Sequence, residues 1–252
     1  MTRAELTGKR VLVTGASRGV GLGIARGFAK AGARLQILAD HPQVMEVARE
    51  LGAGGHLCDI TKAGDVEATL TKVGRLDVLV NNAGLERITP LDDQSPEAEA
   101  TFRRIVEINV VGTYLVTRAA LPRMADGGAI INTASVWSRT AAAEFAAYVA
   151  SKHATIGLTK SWAKELGPRR IRVNAVCPGW VRTEASMLSL QRMAERSGRP
   201  EAELLAGIVG GQILPGLMEP DDIAGPYLFL ASDLAANITG QSLGIDRGEM
   251  PW

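Results

Sequence analysis

The stretch "VTGASRGVGLGIA", Val13 to Ala25, joins the end of a short apolar run to the start of a helical one through Gly15, Gly19 and Gly21. Glycine lets a chain turn tightly and pass close to a ligand, and the unpaired N–H groups that open a helix favour negative charge. A strand, a glycine-rich turn and a helix in that order predict a phosphate-binding loop over residues 14–21, with Ser17, Arg18 and Val20 beside the glycines. A turn without a ligand is the simpler alternative, and the flanking strand and helix weigh against it.

Outward from this loop, short apolar runs alternate with longer segments of helical period. The runs are "RVLV" (10–13), "RLQIL" (34–38), "HLC" (56–58), "LDVLV" (76–80), "AIINT" (129–133), "RVNAV" (172–176) and "SLGI" (242–245). Between the first two, Val20, Ile24 and Phe28 recur at i+4 spacing, and Gly32 stands where a left-handed cap would end the helix. Farther on, Leu158, Trp162 and Leu166 form one row of a helix that stops at Gly167 and Pro168. Such alternation predicts an α/β fold, a doubly wound parallel sheet of about seven strands with helices on both faces, in a single domain over residues 1–252. Residues 184–219 break the pattern with a Met- and Leu-rich helical insertion, expected either to lie over the carboxyl edge of the sheet as a lid or to be a purely structural excursion.

Composition narrows the class. The 252 residues are 46% apolar and 22% charged, and their formal charge of +1 leaves no basic surface for nucleic acid or an anionic membrane. No apolar run reaches the 18 or more residues of a membrane span. The opening "MTRAELTGKRVLVTG" lacks the apolar core of a secretory signal, so a cytoplasmic protein is expected. Cys58 and Cys177 have no metal-like spacing and read as buried hydrophobes; no metal is expected.

The chemistry gathers at the carboxyl ends of the strands. Asp40 in "LADHP" follows the second strand, where an acid would bind the ribose hydroxyls of NAD and repel the 2′-phosphate of NADP. Arg18, beside the phosphate loop, pulls towards NADP, so NAD is preferred and NADP stays open. "NNAG", Asn81 to Gly84, is either a strand-ending turn or a close approach of backbone to ligand. In "AAYVASKHA", Tyr148 and Lys152 share one helix face at i and i+4. The lysine ammonium favours the phenolate of Tyr148 by charge. Ser135, read as closing the fifth strand, can hold a substrate oxygen against that phenol. Removing a hydroxyl proton while a nicotinamide takes the hydride needs such an acid/base group.

The set "TGASRGVG", "NNAG", Asn109 in "EINVVG", Ser135, "YVASK" and "PGWVRT" resembles, in order and spacing, the short-chain dehydrogenase/reductase family over nearly the whole chain. The resemblance implies a Rossmann-like sheet and a catalytic tetrad of Asn109, Ser135, Tyr148 and Lys152 within the segment 109–152. It implies that Asn109 supports a water in a proton relay, that Lys152 holds the nicotinamide ribose, and that Pro178, Gly179, Val181 and Thr183 line the nicotinamide side. Asp59 and Ile60 match a pair that contacts adenine, and Asn82, Ala83 and Gly84 match the family's cofactor-side turn. Family members often form tetramers, so a homo-oligomer is expected. Two positions depart from the family pattern. Ala39 stands where NAD-using members usually carry their acid, and Asp246, Arg247, Gly248 replaces the usual Asp-Gly-Gly.

Residues beside the tetrad point to the substrate. Glu86, Trp137, Arg139, Glu144 and Trp180 offer aromatic faces and hydrogen-bonding groups that suit a small polyhydroxylated molecule such as a sugar or polyol. Three readings stand: an NAD-linked sugar or polyol dehydrogenase, an NADPH-linked reductase of a ketone or 3-oxoacyl thioester, and a nucleotide-sensing regulator without activity. The complete tetrad disfavours the third.

Overall fold

Alternating large apolar side chains on the first strand set the architecture. In β1 (Arg10–Thr14), Val11 and Val13 face one layer and Leu12 the other, and all three are fully buried. A strand buried on both faces needs helices on both sides. The structure, a computed structural model, describes residues 6–251, so residues 1–5 and 252 of the expected domain lie outside the described range.

The chain continues through α1 (Gly19–Lys30), β2 (Arg34–Ala39), α2 (Val44–Leu51), β3 (Gly54–Leu57), α3 (Ala63–Val73) and β4 (Leu76–Asn81). Then come α4 (Pro96–Val106), a π-helical turn (Glu107–Gly112), α5 (Thr113–Ala120), β5 (Met124–Thr133), α6 (Ala146–Leu166) and β6 (Arg172–Pro178). The last part holds α7 (Glu184–Ser197), α8 (Glu201–Gly210), α9 (Ala224–Ala231) and β7 (Ser242–Ile245). The seven strands form one sheet in the order β3-β2-β1-β4-β5-β6-β7, parallel throughout. The order reverses between β1 and β4, and the crevice there is where open α/β sheets bind ligands. Among the described residues no helix is long and apolar enough to cross a membrane.

One face of the sheet packs Ile24 and Phe28 of α1 and Tyr227 of α9; the other packs Leu70 of α3, Val116 of α5 and Leu166 of α6. All seven expected strands are present, with shifted ends. β3 begins at Gly54, before the "HLC" run, because the left-handed Gly52 has already ended α2. β5 starts earlier than expected, at Met124, and a register irregularity against β4 absorbs the extra length.

The helix α6 departs most from its sequence pattern. Its buried row is Ala147, Ser151, Thr155, Thr159 and Ala163, while Leu158 of the expected apolar row is only half-buried. The hydroxyls of Thr155 and Thr159 donate to carbonyls one turn back, at 3.1 and 2.8 Å, and so cost little to bury. Asn132 of β5 donates to Thr159 at 2.9 Å and accepts from Asn81 of β4 at 2.9 Å. A polar ladder therefore crosses the sheet beneath the crevice and fixes α6 against it.

Candidate active site

The glycine loop opens a cavity of about 400 Å³ along the carboxyl edge. A Cβ on Gly15 would lie 2.6 Å from the Ala83 Cα, and one on Gly21 would lie 2.1 Å from the Gly15 carbonyl oxygen. Backbone thus passes backbone where no side chain fits. Arg18 caps α1 without a side-chain hydrogen bond, leaving the first-turn N–H groups turned to the loop. The Thr14 hydroxyl accepts from the N–H groups of Asn82 and Ala83, both at 2.9 Å, and Asn82 Nδ2 donates to Thr14 O at 3.1 Å. The "NNAG" turn is thereby lashed to the phosphate loop, and an anionic dinucleotide fits the cradle they make.

Gly15, Ser17, Arg18, Gly19, Val20 and Gly21 all line this cavity, as do Asn82, Ala83 and Gly84. Asp40, exposed directly after β2, and Asp59 and Ile60 after β3 line its far end. Burial would raise the Asp59 carboxyl, but hydrogen bonds from Thr61 and the charges of Arg104 and Lys62 hold it below its usual range. Arg18 faces Glu184 at 3.6 Å across the mouth of the cavity.

At the near end stand the acid/base candidates. β5 stops at Thr133, and Ser135 lies beyond it as the cap of a short 3-10 turn, its Oγ accepting from Trp137 N at 3.1 Å. The sequence reading of Ser135 as the last strand residue is corrected accordingly: the chain must leave the sheet before its side chain can face the crevice. The Ser135 hydroxyl lies near enough to the Tyr148 phenol to favour its ionised form slightly. Lys152, 5% exposed, donates from Nζ to Thr133 O at 2.7 Å and lies 5.5 Å from the centre of the Tyr148 ring. Trp137 meets Tyr148 edge-on at 6.0 Å and Phe145 at 4.8 Å, which holds the phenol in place.

The electrostatics differ from the simple expectation. Burial, then the charge of Glu86, pushes the Tyr148 phenol well above its ordinary range, and the nearby Ser135 hydroxyl offsets this only in part. Burial lowers Lys152 to about 8. The lysine alone therefore does not make Tyr148 a phenolate. In the protein by itself the tyrosine holds its proton.

Asn109 does not line the cavity. It sits 3% exposed in the π-helical turn, where its Oδ1 accepts from Leu85 N at 2.7 Å and its Nδ2 donates to Leu85 O at 3.0 Å and Ser151 Oγ at 2.9 Å. It ties the turn after β4 to the helix carrying Tyr148 and Lys152. Pro178, Gly179, Val181 and Thr183 do line the cavity, and Thr183 caps α7, accepting from Ser186 N at 3.1 Å.

Of the substrate candidates, Glu86, Trp137 and Trp180 line the cavity. Glu86 accepts from Ser189 Oγ of α7 at 2.7 Å; burial raises its carboxyl, and Ser189, Arg87 and Arg192 pull it back in part. Arg139 and Glu144 stand elsewhere. Arg139 points to the start of β7, where its Nη2 meets both the carbonyl and the hydroxyl of Ser242. Glu144, at φ 68, turns outward and pairs with Arg196 of α7 at 2.8 Å. The 3-10 turn rotates Arg139 away from the cavity, and the left-handed residue does the same for Glu144, neither of which spacing revealed. Of the expected lid, only the first turns of α7 reach the cavity, through Glu184, Ala185, Ser186 and Leu188. Arg247 reaches a carbonyl of its own chain, Pro215 O, at 2.7 Å. Glu249 of the tail also lines the cavity, and the sequence carried no periodic or motif signal for it.

Known proteins agree with this architecture. A family model described as "Enoyl-(Acyl carrier protein) reductase" matches residues 15–249. Oxidoreductase UcpA of Salmonella typhimurium is 38% identical, over 97% of this chain and 95% of its own. D-beta-hydroxybutyrate dehydrogenase of Cupriavidus necator is 33% identical, over 96% and 98%. Among solved structures, the ligand-free aldohexose dehydrogenase of Thermoplasma acidophilum superposes with a TM-score of 0.85 at 32% identity, covering 98% of this chain and 96% of that one. L-sorbose reductase of Gluconobacter frateurii, solved with NADPH and L-sorbose, gives 0.89 at 26% identity with both chains fully covered, 100% each. With the glycine cradle, the Ser135–Tyr148–Lys152 group and relatives matched end to end, the chain belongs to the short-chain dehydrogenase/reductase family of oxidoreductases.

Proposed function

We propose that this protein moves a hydride between NAD and a secondary alcohol or its ketone, and that its substrate is a sugar or polyol. One observation carries the reading: Tyr148, with Ser135 beside it and Lys152 behind it, stands in the same cavity as the glycine loop. A bound nicotinamide supplies the hydride or accepts it and, when oxidised, brings a positive charge. The protein handles the proton. In reduction, the Tyr148 hydroxyl gives its proton to the carbonyl oxygen that Ser135 holds, a step suited to a phenol kept protonated by burial. In oxidation the same oxygen takes the alcohol proton, and added positive charge nearby lowers its pKa towards neutrality. Lys152, held by Thr133 O, also faces the site of the cofactor ribose, and Asn109 serves by fixing the backbone on which Lys152 depends.

The sugar or polyol reading rests on Glu86, a half-buried carboxylate close enough to raise the Tyr148 pKa and able to accept hydroxyl hydrogen bonds. NAD is favoured because Asp40 offers a carboxylate for the ribose hydroxyls and Glu184 engages Arg18. A second reading, an NADPH-linked ketone reductase, draws on the 59% exposure of the Arg18 side chain and on the NADPH bound by L-sorbose reductase. We further propose that α7 acts as the lid, strapped by Glu86–Ser189 and Arg196–Glu144. A homo-oligomer pairing through the α4–α5 segment is also part of the proposal, since Phe102, Val111 and Tyr114 expose apolar surface there. The deciding experiment assays sugars, polyols, hydroxysteroids and simple secondary alcohols by nicotinamide absorbance with both cofactors. NAD-dependent oxidation of a sugar or polyol is expected; tighter binding of NADPH than NADH would overturn the Asp40 assignment.

A further inference from the structure

Glu86 and Tyr148 reach the cavity from different parts of the chain. Glu86 stands in the stretch after β4, and Tyr148 in the first turn of α6. After burial, the charge of Glu86 is what raises the phenol, so the spacing of these two elements bears on the chemistry. At its far end the stretch meets α6 through Thr89, whose hydroxyl accepts from Ala147 N at 3.2 Å. At its near end it meets α6 through Leu85, the neighbour of Glu86, by way of two buried side chains.

The first is Asn109. Its amide clamps the Leu85 backbone, Oδ1 accepting from Leu85 N at 2.7 Å and Nδ2 donating to Leu85 O at 3.0 Å. The second Nδ2 proton goes to Ser151 Oγ at 2.9 Å. Ser151, 1% exposed and next to Lys152, in turn donates to Tyr148 O at 2.7 Å. An unbroken chain of hydrogen bonds therefore runs from the backbone beside Glu86 to the backbone of Tyr148. Serine is an indifferent helix former, and here its hydroxyl is used both as acceptor and as donor. Alanine in its place would leave one Asn109 proton buried without that acceptor and would cut the chain at its middle.

Other ionisable groups surround the pair. Lys152 lies 5.5 Å from the Tyr148 ring centre on the same helix, Tyr227 of α9 approaches from Thr133, which it meets at 2.9 Å, and Cys177 of β6 faces Lys152. Arg87 and Arg192 face Glu86. Lys152 has its own anchor at Thr133 O, 2.7 Å away, and Tyr227 and Cys177 belong to elements that Ser151 does not brace. Loosening the chain at Ser151 therefore frees the stretch that bears Glu86 and leaves these groups in place. The influence of a charge falls as its distance grows, so a freed Glu86 acts less on the phenol.

We propose that Ser151 is a positioning residue of the proton-transfer site, bracing the stretch that bears Glu86 against the helix that bears Tyr148. It does not line the cavity, so it touches neither substrate nor cofactor. The inference rests on the redox reading above and adds to it a residue that sets how far the Glu86 charge stands from the phenol.

The test follows kcat/KM for oxidation of the best alcohol of the general panel against pH in wild type, S151A, S151T, E86Q and S151A/E86Q, with Y148F as the reference for turnover. With the brace cut, the rising limb in S151A should move to lower pH, by no more than E86Q moves it. S151T keeps the hydroxyl and should track wild type. In the E86Q background the serine change should add no further shift, because the charge it positions is gone. NADH binding, followed by fluorescence in each variant, reports that the site is folded. If S151A binds no NADH, S151C, which keeps the volume but bonds weakly, takes its place in the comparison. An S151A profile that stays put or moves to higher pH, an unmoved E86Q profile, an S151T shift as large as that of S151A, or a serine shift undiminished in the E86Q background overturns the brace. Tyr148-dependent turnover in that same experiment keeps the redox reading; its absence with every alcohol overturns both.

Discussion

The two ends of the cavity are built by different means. At the phosphate loop, β1, the turn and the start of α1 are contiguous in sequence, and the wall is backbone packed on backbone at Gly15, Gly21 and Ala83. At the end near Tyr148, Glu86, Trp137, the stretch from Trp180 into the first turns of α7, and Glu249 arrive from four separate stretches of chain. Under the proposed function, the first end meets a constant chemical group with main-chain atoms. Under the same reading, the second meets a variable group with side chains that loops and caps can reorient, so change of substrate is easy where the fold is least constrained.

That contrast can be broken at either end. The largest expected effect is at the reacting oxygen: Tyr148→Phe should lower kcat by about a thousandfold or more while leaving the NADH dissociation constant within about threefold, since only the proton donor is removed. Stopped-flow hydride transfer and fluorescence titration measure the two separately, and substantial turnover by the phenylalanine variant would remove Tyr148 from the acid/base role.

Gly21→Ala probes the opposite end. The new methyl would meet the Gly15 carbonyl oxygen at 2.1 Å, so the loop must shift, and NADH affinity should fall about tenfold or more along with a drop in Tm. Normal affinity in this variant would mean that the cradle tolerates a side chain and is not a fixed binding surface.

The smallest effect sharpens the comparison, because it lets the substrate end act on the chemistry. The charge of Glu86 raises the Tyr148 pKa, so Glu86→Gln should lower it. Oxidation requires the deprotonated phenol, so the rising limb of its kcat/KM profile should move to lower pH. The same variant should lose several-fold in kcat/KM for a polyol. An unmoved profile would show that Glu86 is neutral or too far from Tyr148 in the working enzyme.

Much of this was legible in the sequence, for a physical reason. Strand and helix periods, the glycines of the loop and the i, i+4 pairing of Tyr148 with Lys152 are local properties, set within one or two turns of chain. So the seven strands, the cofactor-side wall and the approach of Ser135 to Tyr148 followed from spacing. Local signals failed where direction depended on a neighbour. Arg139 and Glu144 sit close to the tetrad in sequence yet point away from it, one turned by a 3-10 cap and the other by a left-handed backbone. Leu158 looked like core, but the polar ladder from Asn81 through Asn132 to Thr159 selects the small, hydroxylated face of α6 for burial.

By itself, then, the sequence determined the layered α/β fold and the shared helix face of Tyr148 and Lys152, because both depend on patterns that repeat over a few residues. Only the tertiary structure decided the electrostatic setting of that pair and which side chains wall the cavity beside it. Burial depth and the charge of Glu86 set the first, and the meeting of Gly179 with the tail that bears Glu249 sets the second. Both are distances between parts of the chain that no local pattern records.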